Sequence, residues 1–171
     1  ITKKIGGRYR EVPLWSTRLS FEVRPVPGFQ AEAWPLWKPT LLLLDKVLRE
    51  KKWKLNWVRI HSHLGAKRSP RHSQAWVDKD TDTMLLCHFD KDTMLHELAR
   101  LPKDDAHSDA WAKRLWELQE TYLSKKDAAE AHLEITRYLS GRRLYKRKFG
   151  TKPPKYVDQV SIWVTTKPPS K

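Results

Sequence analysis

Apolar residues in the middle of the chain recur with two different periods. Over residues 40–52 they return every three or four positions, which predicts a helix with one apolar face that Thr40 is placed to cap. Alternating or short apolar runs then predict three short strands, at residues 54–63, 74–78 and 83–89. The change from a period of about 3.6 to a period of 2 predicts a helix followed by a small three-stranded sheet.

The helical period returns after the strands. A short helix is predicted over residues 93–101, with two candidate aspartate N-caps before it and Pro102 after it. Ser108 is placed to cap a longer helix that runs to about Leu123 and carries a regular apolar stripe. These elements together predict an α+β fold.

The last predicted helix lies between a capping signal and a glycine. Ser124 followed by Asp127 resembles a capping box, and Gly141 is expected to end the helix in the C′ position. Beyond it lies a basic run at residues 142–148, and the alternation at residues 160–164 predicts a final short strand.

The N-terminal part is expected to be an extended arm. Residues 1–39 contain five prolines and three glycines, which interrupt a helical period. Aromatic residues in this part, Trp15 and Trp34 among them, favour burial, so we expect the arm to wrap its own domain or to insert into a partner. Residues 18–24 alternate like a strand and predict pairing with a sheet edge.

The predicted organisation therefore has four parts. They are an extended arm rich in proline and aromatic residues (1–39), a core (40–123), an additional helix (124–141) and a basic C-terminal segment with a short strand (142–171).

Composition excludes several classes of protein. Hydrophobic residues make up 39% of the 171, and no apolar run approaches the roughly 20 residues that span a bilayer. Residues 1–24 lack the apolar stretch of a signal peptide, so we expect none there. The single cysteine, Cys87, excludes an internal disulfide framework and a multi-cysteine zinc site. One cysteine is compatible with a reducing intracellular compartment or a virus particle.

Charge is distributed unevenly along the chain. The formal net charge is +14, which favours polyanionic partners, nucleic acid before an acidic membrane surface. Residues 1–60 carry 13 basic and 5 acidic side chains, residues 61–124 carry 9 and 11, and residues 125–171 carry 12 and 4. Residues 1–39 and 142–171 are therefore expected to contact a polyanion or a partner surface, while the acidic middle is not.

One predicted helix carries a motif associated with metal-dependent chemistry. It contains His96-Glu97-Leu98-Ala99-Arg100, and His107 lies 11 residues after His96, shortly before Trp111 and the amphipathic helix. In this arrangement the chain resembles the SprT-like branch of the zincin metallopeptidases over about half its length, residues 36–123. That branch carries His-Glu-Leu-Ala-His on a helix after a small sheet, and a third histidine precedes a helix with an aromatic residue near its start.

The resemblance implies a role for each matching residue. His96 would be the first zinc ligand, Glu97 the general base toward a zinc-bound water, and His107 the third ligand. Arg100 occupies the position of the second ligand. A guanidinium has no free lone pair and stays protonated, so it repels the cation that a histidine would bind.

Three interpretations of this departure remain open. In the first, Arg100 pairs with Glu97 on the same helix face and the site is degenerate and metal-free, so that no cofactor is expected. In the second, zinc is retained and another side chain replaces the missing ligand; the candidates are His61, His63, His88 and Asp109. In the third, the similarity is accidental and the segment is an ordinary capped helix.

The basic run near the C-terminus is a candidate nucleic-acid site. Its residues are Arg142, Arg143, Tyr145, Lys146, Arg147 and Lys148. Lysine and arginine contact phosphates and a tyrosine ring stacks on exposed bases, which suits single-stranded or irregular nucleic acid. The alternative is a solvated run of charges. No helix-turn-helix, zinc-finger or RNA-recognition signature accompanies the run.

Three functions from different classes follow from these patterns. The first is a non-catalytic, zincin-derived scaffold or binding component of a larger nucleoprotein assembly, a ribosome or a virus particle, with nucleic acid or protein subunits as partners. The second is an active zinc metallopeptidase with an altered ligand set. The third is a free nucleic-acid-binding protein without sequence specificity.

Overall fold

The computed structural model describes residues 2–5, 8–11, 19–27, 29–60, 75–103 and 105–156. The chain divides into two compact units, Ile1–Ala106 and His107–Lys171. Five helices and a four-stranded sheet make it a mixed α+β protein, which confirms the predicted fold class. Within the described residues, every helix is too short or too polar to cross a membrane.

The first unit contains a hairpin and a four-stranded mixed sheet. The hairpin pairs β1 (Thr2–Ile5) with β2 (Arg8–Glu11) in antiparallel fashion. The sheet consists of β3 (Glu22–Pro25), β4 (Trp57–Ile60), β5 (Ala75–Asp78) and β6 (Thr83–Leu86), in the order β3-β4-β6-β5. The first three in that order are parallel, and β5 joins β6 as an antiparallel edge strand. Strand β3 confirms the predicted edge pairing for residues 22–24, the last part of the predicted segment 18–24.

Burial alternates along β3, β4 and β5, so the sheet has one covered and one outer face, although Thr83 of β6 is also buried. Its covered face presents apolar side chains to the core: Val58, Ile60, Val77, Met84 and Leu86. Helix α2 (Lys91–Leu98) packs against β5 and β6, and it also contacts the long helix α1 (Trp34–Lys51). The alternation seen in the sequence thus places the hydrophobic core between the sheet and the helices.

Helix α1 begins six residues before the predicted start. Proline breaks a helix where its N–H is needed, but Pro35 lies in the first turn, where that N–H has no partner in any case. Pro39 lies inside the helix, which also contradicts the expectation that the prolines keep residues 34–39 extended. Thr40 is consequently a helical, buried residue and not a cap, and its hydroxyl donates to the carbonyl of Phe89.

The second unit is built from three helices. They are α3 (Asp109–Tyr122), α4 (Lys125–Ile135) and α5 (Leu139–Phe149), and α3 packs against both of the others. The Ser108 and Ser124 hydroxyls accept hydrogen bonds from the backbone N–H of Trp111 and Asp127, at 3.0 and 3.1 Å. Both predicted N-caps are confirmed.

The prediction that Gly141 ends the last helix is wrong. Helix α4 ends at Ile135, and Gly141 lies in the first turns of α5, where an added Cβ would come within 2.0 Å of the Ile135 carbonyl oxygen. The helix-ending glycine is Gly150, whose φ of 73° is the left-handed conformation that glycine adopts without strain. Gly141 therefore allows close backbone approach between two helices.

Extended basic arms are not confirmed. The described parts of the predicted arms include strand β3, the start of α1 and all of α5. Other predicted features lie outside the described residues: Trp15, His61, His63 and the strand at 160–164.

Candidate functional site

The helix that carries the zincin-like motif is short and capped at its start. Asp90 is the N-cap of α2, and its carboxylate accepts from the backbone N–H and the hydroxyl of Thr93 at 3.0 and 2.8 Å. The helix ends at Leu98, three residues before the predicted end. The N–H groups of Arg100 and Leu101 then donate to carbonyls three residues earlier, which is the tighter pattern of a 3₁₀ turn.

This early end changes the geometry of the motif. Residues four apart face the same side only while the α-helix continues, because a 3₁₀ turn advances by about 120° per residue and not by 100°. Arg100 therefore lies in this turn, just after the last residue of α2, and not in a continuous helix. After the turn, Lys79 holds the chain by donating to the carbonyls of Leu101 and Pro102 at 2.9 and 2.7 Å.

The predicted pairing of Arg100 with Glu97 is confirmed. Nη1 of Arg100 lies 3.3 Å from Oε2 of Glu97, and Nε2 of His96 lies 4.0 Å from Oε1 of the same carboxylate. Glu97 is 7% exposed, so its charge sits largely away from water next to a fixed positive charge. The Glu97 carboxylate is therefore engaged by Arg100 through Oε2.

His107, which the resemblance would make the third ligand, lies in the second unit. Its backbone has a φ of 62°, and its ring stacks on Tyr138 with a centroid distance of 3.8 Å and an interplanar angle of 18°. The edge of Trp111 meets the same ring at 4.9 Å. His107 thus belongs to an aromatic contact that joins the start of α3 to the N-cap of α5.

The two candidate replacement ligands that the structure describes, His88 and Asp109, have other partners. Nδ1 of His88 accepts the backbone N–H of Asp90 at 3.1 Å, and Asp109 forms an ion pair with Arg143 at 3.2 Å. His61 and His63 lie outside the described residues. Across the described part of the chain, no group of three or more His, Cys, Asp or Glu side chains is arranged to hold a metal ion. The donor set that is described does not fit zinc.

The candidate nucleic-acid residues lie on α5. This helix has 11 residues and contains five basic side chains and no acidic one. The basic residues cluster toward its C-terminus, where the helix dipole favours positive charge. All five are exposed, so the predicted basic run forms a charged helical surface.

The six predicted residues differ in what they do within the unit. Nη1 of Arg142 donates to the carbonyls of Thr136 and Arg137 at 3.1 and 3.0 Å, which satisfies backbone groups left at the end of α4. Arg143 pairs with Asp109 at the start of α3. By contrast, the described residues provide no side-chain hydrogen bond or ion pair for Lys146 and Arg147, which face solvent.

Tyr145 and Lys148 pack around a tryptophan of α3. The ring of Trp116 is buried and stacks on His132 at 3.7 Å, while Tyr145 lies 6.5 Å away in an edge arrangement. The Lys148 ammonium lies 5.2 Å from the centroid of Trp116, within the range of a cation–π interaction. These two side chains thus help to hold α5 on α3.

Phe149 is the residue at this site that the sequence pattern missed. Its ring is 58% exposed and lies 4.6 Å from that of Tyr145. Phe149 directly follows the basic run in the sequence. An aromatic side chain next to clustered positive charge is the signal by which it could have been predicted as part of the site. Phe149 offers the exposed ring that the pattern assigned to Tyr145.

Comparison of the chain with models of protein families, with curated proteins and with solved structures finds no match.

Proposed function

We propose that this chain is a non-catalytic, zincin-derived binding component of a larger nucleoprotein assembly, such as a ribosome or a virus particle. The observation that carries the proposal is α5, whose exposed surface holds five basic residues and no acidic one. On a chain of formal net charge +14, such a helix favours nucleic-acid phosphates as its partner.

The non-catalytic part of the proposal rests on the ion pair in the zincin-like motif. Arg100 supplies a permanent positive charge where the resemblance expects a metal ligand, and it pairs with the carboxylate expected to act as the base, Glu97. The order of elements supports descent from a zincin. A small sheet precedes the helix with His96 and Glu97, and His107 precedes the helix that begins near Trp111.

Within α5, two residues are assigned to phosphate contact. Lys146 and Arg147 are exposed, whereas Arg142 and Arg143 are engaged within the unit. The exposed ring of Phe149 supplies an adjacent surface on which an unpaired base can stack. The proposed ligand of this surface is therefore single-stranded or irregular nucleic acid.

Oligonucleotide binding over a range of salt concentrations tests the proposal. The full chain is titrated into a labelled single-stranded RNA and binding is followed by fluorescence anisotropy. For K146A/R147A we expect weaker binding and a log–log salt slope smaller in magnitude by about 1.4, since each phosphate contact on a single strand contributes about 0.7. The matched control is K125A/K126A, which removes the same charge from two exposed lysines at the start of α4.

The control shows whether weaker RNA binding comes from the surface of α5 or only from the loss of two positive charges. If K125A/K126A weakens binding as much as K146A/R147A does, α5 is not the site. Absence of salt-dependent binding by the wild-type chain would contradict the nucleic-acid partner itself. Metal analysis tests the non-catalytic part of the proposal. Stoichiometric zinc in the purified chain would favour an active metallopeptidase over a non-catalytic component.

A further inference from the structure

The outer face of the four-stranded sheet displays aromatic and guanidinium side chains. Strand register aligns one row across all four strands, and its members are Arg24, Arg59, Leu85 and Trp76. Residues in register lie on the same face, opposite the apolar residues that face the core. Trp76 is 37% exposed on the edge strand β5, and the side chains of Arg24 and Arg59 are exposed as well.

A second tryptophan on this face, Trp57, lies close to two guanidinium groups. The guanidinium carbon of Arg24 lies 4.9 Å from the centroid of Trp57, and that of Arg59 lies 5.7 Å from it. Both distances fall within the range of a cation–π interaction. Trp57 is half-buried, so the three side chains form a partly open surface with two guanidinium groups.

Negative charge on this face lies at one end of the sheet. Glu22 pairs with Arg24 at 3.0 Å, and Asp78 accepts backbone hydrogen bonds from the turn between β5 and β6. Both carboxylates belong to the row that contains Trp57. The row of Arg59 and Trp76 contains no acidic side chain, so that row is the basic part of the face.

We propose that this sheet face, defined by Arg24, Trp57, Arg59 and Trp76, is a second binding surface for single-stranded nucleic acid. The inference rests on the proposed function only in taking nucleic acid as the partner, and it places the contact on residues of the first unit and not on α5. Bases stack on tryptophan rings and on arginine planes whatever their identity, while guanidinium groups pair with phosphates. The net charge of +14 favours this partner and disfavours a second copy of the chain.

The spacing of the two rings suits more than one base. Trp57 and Trp76 lie on β4 and β5, which β6 separates, so two strand spacings of about 4.8 Å each lie between them. A duplex does not offer unstacked bases to such a surface. Single strands are therefore expected to bind it more tightly than a duplex of the same sequence.

Substitution of Trp76 tests the stacking contact. In anisotropy titrations of the full chain with labelled single-stranded RNA, Trp76→Leu is expected to raise the Kd by about 5-fold to 100-fold. Trp76→Phe retains an aromatic ring and should stay within about threefold of the wild-type chain. Neither change removes a charge, so the salt slope should be the same for both variants and the wild-type chain.

Substitution of Arg59 tests the phosphate contact independently. Arg59→Gln is expected to reduce the magnitude of the salt slope by about 0.7. The control is Lys54→Gln, which removes one exposed charge just before β4 and should leave the slope unchanged. Circular dichroism spectra identical to that of the wild-type chain establish that each variant is folded, and Arg59→Gln keeps the test decisive if Trp76→Leu does not fold.

Three results would overturn the inference. Equal affinities for Trp76→Leu and Trp76→Phe would show that the ring is not what binds. Equal slopes for Arg59→Gln and Lys54→Gln would show that Arg59 does not contact phosphate. If K146A/R147A weakens binding while all sheet variants bind as the wild-type chain does, the sheet surface is excluded and the proposed role of α5 stands. If the sheet variants weaken binding while K146A/R147A binds as the wild-type chain does, α5 is excluded as the binding surface and the sheet surface is retained.

Discussion

Arg100 places its guanidinium 3.3 Å from the carboxylate of Glu97, at the end of a helix whose sequence otherwise resembles a zinc-binding helix. The pair is formed within one short segment, since Arg100 lies in the 3₁₀ turn that follows the last helical residue. A buried carboxylate needs a compensating partner, and here the Arg100 guanidinium supplies it. The pair therefore ties Arg100 to the stability of the first unit.

Breaking this pair is expected to destabilise the first unit. Arg100→Met leaves the Glu97 carboxylate without its 3.3 Å partner and should lower the free energy of unfolding by about 1–3 kcal/mol. In the double variant E97Q/R100M the buried charge is gone, so part of the loss should be recovered. Urea denaturation of the wild-type chain, both single variants and the double variant measures the coupling. Additive losses would contradict an interaction between the two residues.

A second carboxylate makes stability depend on pH. Asp45 of α1 accepts from the backbone N–H and hydroxyl of Ser20 at 2.7 and 2.6 Å and from Nε of Arg49 at 2.9 Å. Burial at this position raises the pKa of Asp45, but these hydrogen bonds outweigh burial, and the pKa lies below its ordinary value of 3.8. The charged carboxylate is therefore the form that the fold favours.

Replacing Asp45 should thus cost stability at neutral pH and less in acid. A pKa that is lowered by folding stabilises the protein above the unfolded value of 3.8, and this contribution is lost as the pH falls through the folded value. Asp45→Asn is expected to lower the melting temperature at pH 7, with a difference from the wild-type chain that shrinks below pH 3.8. Glu32→Gln, which removes an exposed carboxylate, is the control and should show no comparable difference.

Gly141 is expected to tolerate no side chain. An alanine Cβ there would lie 2.0 Å from the carbonyl oxygen and 2.5 Å from the carbonyl carbon of Ile135, so α5 would have to shift from the end of α4. Gly141→Ala should destabilise the second unit by about 1–3 kcal/mol, although alanine usually stabilises a helix relative to glycine. Thermal melts measure the effect. Gly150→Ala provides the comparison, because it meets no atom within 4 Å and should cost only the roughly 1 kcal/mol of a left-handed alanine.

Local signals in the sequence predicted the features that depend on local contacts. The caps at Ser108 and Ser124 were predicted because a hydroxyl bonds an N–H three residues away. The ion pair of Glu97 and Arg100 was predicted for the same reason, since the two residues are three positions apart. The three central strands followed from their apolar alternation, although β4 begins at Trp57, later than predicted, and β6 ends at Leu86, earlier than predicted.

Features that depend on distant contacts were missed. A glycine that ends a helix and a glycine that allows two helices to approach look alike in sequence, and only the position of Ile135 distinguishes them at Gly141. Arg24 and Trp57 are 33 positions apart and meet because β3 and β4 pair in parallel. The helical state of the basic run was also missed, because packing against α3 decides it.

Residues within the basic helix α5 should separate into structural and binding roles. Arg142 donates to two backbone carbonyls, of Thr136 and Arg137, so Arg142→Ala should lower the free energy of unfolding by about 1–3 kcal/mol. K146A/R147A removes exposed charges and should stay within about 0.5 kcal/mol of the wild-type chain. Replacing the whole basic run at once would therefore mix loss of fold with loss of binding.

Stability and RNA binding are expected to rank Arg142→Ala and K146A/R147A in opposite orders. In chemical denaturation Arg142→Ala should be the less stable, whereas in the salt-dependent titration of single-stranded RNA K146A/R147A should show the larger loss of slope. The contrast arises because the Arg142 guanidinium is held by the end of α4, while Lys146 and Arg147 face solvent. A double variant as unstable as Arg142→Ala, or an Arg142→Ala variant with the larger loss of slope, would contradict this division of roles within α5.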